Sequence, residues 1–161
     1  MQPDASVSSS AAATERAGAA LAARLRAGDV VLLEGDLAAG KTTLVRGLVV
    51  GLGGSAEDVS SPSFVLVQTY PCAAAGLDRL HHIDLYRLAD QLRELRALGL
   101  EEFLSDPAAV TAVEWPKDTM AAWIPADSRV WHCRLTLLDD GARRIEITSP
   151  ACRRRSGSPR R

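Results

Sequence analysis

Hydrophobic positions follow two rhythms along this chain. Val30 to Leu33 is an unbroken apolar run behind Asp29, the pattern of a strand covered on both faces of a parallel sheet. Beyond it, Leu44, Val45, Leu48, Val49 and Leu52 recur at helical spacing, and Gly51, Gly53 and Gly54 supply a stop. Ahead of the run, Ala11 to Arg26 is Ala-rich and helical in propensity, with Leu21 and Leu25 one turn apart and Gly28 as its end. Later, Phe64 to Val67 reads as a strand, Pro71 to Gly76 as a turn and Leu80 to Tyr86 as another strand. Gln91 to Leu104 carries Leu92, Leu95, Leu98 and Leu100 among charges, a surface helix interrupted near Gly99. Val110 to Val113 is a short buried strand. Val130 to Leu137 and Ile145 to Ile147 read as a β-hairpin turning through Asp139-Asp140-Gly141. This order predicts a three-layer α/β fold with a mixed, partly parallel central sheet and a C-terminal β-hairpin.

The segment joining the apolar strand to its helix is GDLAAGKTT, Gly35 to Thr43. It fits G-x-x-x-x-G-K-[ST], with Gly35, Gly40, Lys41 and Thr42 in the required places. A polyphosphate needs several backbone N–H groups turned towards one point, and a glycine-bearing loop can curl that tightly. Lys41 adds a point charge for the outer phosphates, and the Thr42 hydroxyl can ligate the accompanying Mg²⁺. A coincidental turn carrying Lys and Thr is the bland alternative. Strand before and helix after argue against it, since they set the phosphate on a helix N-terminus. The residues expected to line a nucleotide are therefore Gly35, Ala38, Ala39, Gly40, Lys41, Thr42 and Thr43, in a P-loop NTPase-like fold.

A P-loop that hydrolyses its nucleotide needs a further acid at the end of a neighbouring strand. Glu114 follows Val110 to Val113 and would emerge at a carboxyl end, where such sheets place ligands. Asp84 sits in His82-Ile83-Asp84-Leu85-Tyr86, which on a strand puts His82, Asp84 and Tyr86 on one face. From spacing alone, Asp84 reads equally well as polar alternation on an exposed edge strand, and Glu114 also as a solvated strand-terminal acid. His81 and His82 have no metal-spaced partners, so packing or hydrogen bonding is expected of both.

Bulk properties narrow the class. A length of 161 residues suffices for one domain with a proper core and is too short for two. No apolar run is long enough to span a bilayer, and the N-terminus lacks a signal peptide's basic start and continuous apolar segment, so no membrane partner is expected. Cys72, Cys133 and Cys152 are odd in number and far apart, which suggests neither a disulfide framework nor a zinc site; a reducing cytoplasm is the expected setting. Five arginines fall in residues 151–161, and without their charge a net of -1 becomes -6 on the rest. Residues 1–9 are expected to be disordered, 10–150 to form the domain, and 151–161 to be a disordered basic tail.

GDLAAGKTTLVRGL, SPSFVLVQTY, HHIDLYRL, LGLEEFL and VEWP, in this order and at these separations, resemble the TsaE (YjeE) family, the bacterial P-loop ATPase of tRNA threonylcarbamoyladenosine biosynthesis. The likeness runs from about Gly28 to Trp115, with a weaker echo at Gly141 to Ile147. It implies a protein that binds ATP and Mg²⁺, hydrolyses ATP slowly alone, and acts with the TsaD–TsaB pair, meeting tRNA only through that complex. The pair transfers the threonylcarbamoyl group to an adenosine beside the anticodon. By the resemblance, Lys41 and Thr42 keep their P-loop roles and Glu114 helps hold Mg²⁺. Asp84 is a second metal or water-positioning group, which makes Lys41, Asp84 and Glu114 the catalytic set and Thr42, Asp84 and Glu114 the metal set. Trp115 and the Ser61 to Phe64 loop fall where the family has nucleotide-sensing elements, and Arg143 or Arg144, Arg144 by preference, is expected to approach the nucleotide.

Two positions depart from the family pattern. Ala38 stands where a second glycine belongs; if φ > 0 is needed there, alanine costs about 1–2 kcal/mol and weakens nucleotide binding relative to Ala38→Gly. Ser63 replaces a usual Thr and retains the hydroxyl. Two rival functions compete with the ATPase. A small-molecule P-loop kinase shares the size and GKTT, but its Arg-rich lid would have to come from the expected disordered end. An RNA-binding module could use the same tail, with steep salt dependence. A GTPase is disfavoured because no N-K-x-D motif follows.

Overall fold

A computed structural model of the chain describes residues 3–60, 66–74, 76–88 and 92–150. Among these, seven strands form one sheet: β1 Asp4–Ser8, β2 Val30–Glu34, β3 Val67–Ala74, β4 Leu77–Asp84, β5 Ala109–Glu114, β6 Val130–Leu137 and β7 Arg143–Thr148. The helices are α1 Ala11–Ala22, α2 Lys41–Gly51, α3 Leu92–Ala97 and α4 Leu100–Leu104. Strand order is β1-β7-β6-β2-β5-β4-β3. The inner strands β6, β2, β5 and β4 run parallel, while β7, β1 and β3 add antiparallel edges. The expected mixed α/β fold is the one observed.

The unbroken apolar run of β2 has a direct cause. Val31 and Leu33 join a core under α1 and α2, whereas Val30 joins a second core under α3 and α4. A central strand with helices on both faces has no polar side to offer. The two helices on the first face meet backbone to backbone. A Cβ at Gly47 would lie 2.0 Å from the Glu15 carbonyl oxygen, and one at Gly18 2.3 Å from that of Leu44. Glycine at those positions sets the depth of the α1–α2 contact, and with it the position of α2 behind the loop.

Several expectations need correction. Residues 1–9 contain an ordered strand: β1 pairs with β7 along its whole length, so the sheet begins at Asp4 rather than after residue 9. Its pattern hides this because Asp4 to Val7 are exposed; what holds it is backbone pairing and a hydroxyl knot. The Ser8 and Thr14 hydroxyls meet at 2.7 Å, and the Ser10 side chain caps α1 by accepting from the Ala13 N–H. The helix stops at Ala22, earlier than Arg26. Pro71 lies inside β3 rather than in a turn, which an edge strand tolerates, and the register shifts between Pro71 and Ala74. The break at Gly99, between α3 and α4, and the β6–β7 hairpin stand as read. Phe64 and Val65, the Ser61 to Phe64 loop and the 151–161 tail lie outside the described residues.

Candidate functional site

The P-loop leaves the carboxyl end of β2, where the chain has placed β5 on one side and β6 on the other. Such a point, where strand order reverses direction, opens a crevice in an α/β sheet. Gly35 turns there with φ 146° and packs so close to β6 that a Cβ would fall 2.3 Å from the Leu135 carbonyl oxygen. The loop then closes on itself through the Ala39 N–H, which donates to the Asp36 carbonyl at 3.1 Å, and α2 begins at Lys41. Ala38 has φ 62°, the left-handed conformation that its departure from glycine makes costly.

Above this loop end lies a cavity of about 470 Å³. Ala38, Gly40, Lys41, Thr42 and Thr43 line it from the loop, Asp84 and Tyr86 from the end of β4, and Glu114 and Trp115 from the end of β5. Parallel register makes Asp84 and Glu114 direct neighbours, so both carboxylates rise from the same edge of the sheet. β4 is an inner strand, which removes the edge-strand reading of Asp84. Glu114 is buried, which removes the solvated-acid reading. The Thr42 hydroxyl donates to Glu114 Oε1 at 2.8 Å, and His82 Nε2 meets the same oxygen at 2.7 Å.

Lys41 is buried, with Nζ donating to the Gly35 and Asp36 carbonyls at 2.7 and 2.8 Å. It also sits 4.2 Å from the centroid of the Trp115 ring, within cation–π range, and Tyr86 packs on the other partner of that contact at 4.9 Å between ring centroids. Burial lowers the Lys41 ammonium below its ordinary range, against the opposing pull of Glu114, Asp84 and Asp36. Burial raises the Asp84 carboxyl, and the Glu114 charge adds to that; the Tyr86 N–H, His82 and Lys41 act the other way. Trp115 has φ 57°, unusual for a bulky residue and more so ahead of Pro116. Its N–H donates to the Leu33 carbonyl at 3.2 Å, which ties this strained turn to β2.

Oxygen donors gather on one side of the cavity: the Thr42 hydroxyl and the Asp84 and Glu114 carboxylates. That set suits a hard cation such as Mg²⁺, which binds through one or two carboxylates and completes its shell with water and phosphate. Of the loop residues expected to meet a nucleotide, Ala39 is buried beneath the loop and Gly35 lies on the far side of Trp115, lining a neighbouring hollow with Asp36 and Arg134. Arg144 is corrected: it is exposed on β7, and Arg143, on the opposite face of that strand, lines the cavity. The Arg143 side chain packs over the loop, its Nε 3.1 Å from where a Cβ at Gly40 would stand. His81 is engaged elsewhere, between Thr69 at 2.9 Å and Asp106 at 2.8 Å.

A family model described as threonylcarbamoyl adenosine biosynthesis protein TsaE matches residues 8–145. The chain belongs to the TsaE family. Lys41, Thr42, Asp84, Glu114, Trp115 and Arg143 all fall inside the TsaE match. Its relatives include proteins named tRNA threonylcarbamoyladenosine biosynthesis protein TsaE. The one from Streptomyces coelicolor is 49% identical over 98 residues, spanning 61% of this chain and 64% of that protein. The one from Nostoc sp. is 41% identical over 138 residues, 84% of this chain and 79% of that protein. The one from Treponema pallidum is 38% identical over 141 residues, 88% and 97% respectively. Among solved structures, Bacillus subtilis YdiB superposes with a TM-score of 0.67 at 25% identity, covering 93% of this chain and 87% of that one. Among the described residues, no helix is long and apolar enough to cross a membrane.

Two contributions to this TsaE site escape a reading of the chain alone. Whether Arg143 or Arg144 faces the loop depends on hairpin register, which a one-residue slip would invert. The meeting of His82 with Glu114 spans 32 positions and exists only once β4 and β5 pair.

Proposed function

We propose that this TsaE-family protein is a Mg²⁺-dependent ATP hydrolase that works with the TsaD–TsaB pair in the cytoplasm, in threonylcarbamoylation of the tRNA adenosine beside the anticodon. The observation carrying this reading is the convergence of Lys41, Thr42, Asp84 and Glu114 on one cavity at the carboxyl ends of β2, β4 and β5. The names carried by its relatives support the pathway.

The chemistry is transfer of the γ-phosphoryl group to water. That reaction asks for positioning and charge stabilisation more than for proton abstraction. The loop amides and Lys41 supply fixed positive potential to the phosphates. To do so, Lys41 Nζ exchanges the neutral Gly35 and Asp36 carbonyls for anionic phosphate oxygens, which adds the attraction of a full opposite charge to an already charge-assisted bond. Mg²⁺, when bound, neutralises charge on the outer phosphate oxygens. Thr42, from the first turn of α2, and Glu114, from the end of β5, would hold it, and Asp84 would hold it or orient the attacking water. Trp115 and Arg143, which both line the cavity, contact the nucleotide. Turnover by the isolated chain is slow because completing such a site waits on a partner.

Among the described residues no observation favours the kinase reading, and the tail that the RNA-binding reading needs lies outside them. The test is ATP hydrolysis with and without a TsaD–TsaB pair, alongside Glu114→Ala. Slow hydrolysis that the pair accelerates, and that Glu114→Ala lowers by about 100-fold, is expected. Hydrolysis indifferent to the pair refutes the partnership; none under either condition refutes the ATPase.

A further inference from the structure

Glu114 is held from behind by a chain of groups that never reaches the cavity. His82 is wholly buried on β4. Its Nε2 lies 2.7 Å from Glu114 Oε1, and because a carboxylate only accepts, Nε2 carries the proton and donates. On the other side of the ring, Nδ1 lies 3.4 Å from the oxygen of the buried Tyr70 hydroxyl, which donates its one proton to the Gln68 side-chain oxygen. The line Gln68–Tyr70–His82–Glu114–Thr42 thus crosses β3, β4 and β5 and ends on the first turn of α2. The Thr42 donor falls on Oε1 as well. With two donors directed onto one oxygen, the carboxylate cannot rotate freely, and Oε2 is left for the cation or its waters.

Stability alone gives little reason for this arrangement. A buried hydrogen-bonded polar line can usually be replaced by apolar side chains of similar volume without loss. Orienting a metal-facing carboxylate does give a reason, since such partners set ligand geometry.

We propose that His82 is the positioning residue for Glu114: through Nε2 it fixes the carboxylate in the orientation that Thr42 and the divalent cation require. Tyr70 acts one step further back, by packing its hydroxyl against the Nδ1 edge of the ring and so limiting the ring's rotation. This inference rests on the Mg²⁺-nucleotide reading of the cavity.

Calorimetry with a non-hydrolysable ATP analogue, in Mg²⁺ and in EDTA, tests it on the full chain. In wild type, Mg²⁺ raises the affinity. In His82→Leu, that gain falls by about 10–100-fold while the EDTA affinity and the melting temperature hold. His82→Gln places an amide nitrogen at the Nε2 position and returns most of the gain. A folded His82→Leu that keeps the full gain overturns the proposal, as does a folded His82→Gln no better than it. Should His82→Leu not fold, Tyr70→Phe decides: a smaller loss confined to the Mg²⁺ condition supports the line, and an unchanged gain overturns it. If Mg²⁺ adds nothing even in wild type, the reading of the cavity itself has failed, and the role of His82 falls with it.

Discussion

Ala38 offers a measurement in which loop geometry, stability and affinity are tied together. Its φ of 62° puts an L-side chain in the left-handed region, at a cost of about 1–2 kcal/mol relative to glycine. Ala38→Gly removes that strain but gives the unfolded chain extra freedom, which offsets about 0.4–1 kcal/mol. The net gain is then about 0.8 kcal/mol in folding stability, or roughly 2–3 °C in melting temperature for a chain of this size. Affinity is a separate matter, because strain matters to binding only if binding creates it. The loop is held by its own bonds, from the Ala39 N–H to Asp36 and from Lys41 Nζ to Gly35 and Asp36. Strain imposed by the fold is present before and after a nucleotide arrives and cancels. Ala38→Gly should therefore stabilise the protein and leave affinity for a non-hydrolysable ATP analogue within about threefold, which differs from the weaker binding that the sequence alone suggests. Denaturation and calorimetry on the same two proteins check it. A tenfold gain in affinity with unchanged stability would refute the reasoning, since it would mean that binding itself forces the φ.

Three other perturbations probe separate parts of the account. In the fold, the Asp84 carboxyl titrates above its ordinary range, so the folded state holds that proton more tightly than the unfolded chain does. Its ionised form therefore costs stability at neutral pH, and the cost disappears as pH falls through the raised value. Asp84→Asn keeps an acceptor for the Tyr86 N–H, so in EDTA it should melt higher than wild type at pH 7, with the difference closing in acid, while Mg²⁺-dependent hydrolysis is lost. Gly47→Ala drives a methyl group into the Glu15 carbonyl and should cost about 1–3 kcal/mol by denaturant unfolding, despite a gain of about 1 kcal/mol in helix propensity. A stabilised variant would disprove the close α1–α2 contact. Arg143→Ala should weaken nucleotide binding by about tenfold and Arg144→Ala should leave it unchanged; the reverse order in calorimetry would place the wrong arginine at the cavity.

Much of this site is written locally. The β2 run, the glycine loop and the α2 spacing are contiguous, and each is set by short-range chemistry, so Gly35 to Thr43 could be located before any fold was known. Glu114 was legible for a similar reason: it ends an apolar run. What stayed hidden depends on pairing across the sheet. β1 shows no apolar alternation, because its four exposed residues contribute backbone rather than side chains to the edge. Pro71 reads as a turn until its strand is known to be an edge, where its missing N–H costs no ladder bond. Arg143 and Arg144 differ only in which way they face, and the hairpin register decides it. For His82, the sequence supports only packing or a hydrogen bond; that its partner is the acid of the cavity follows from β4 lying against β5.

The central claim is that the cavity over Lys41 receives the phosphates of a nucleoside triphosphate together with Mg²⁺. Calorimetric titration of wild type and Lys41→Ala with a non-hydrolysable ATP analogue in Mg²⁺ tests it most directly. Binding by the wild type, with none detectable in a Lys41→Ala protein that melts normally, is the result expected. Equal binding by the two proteins would contradict it.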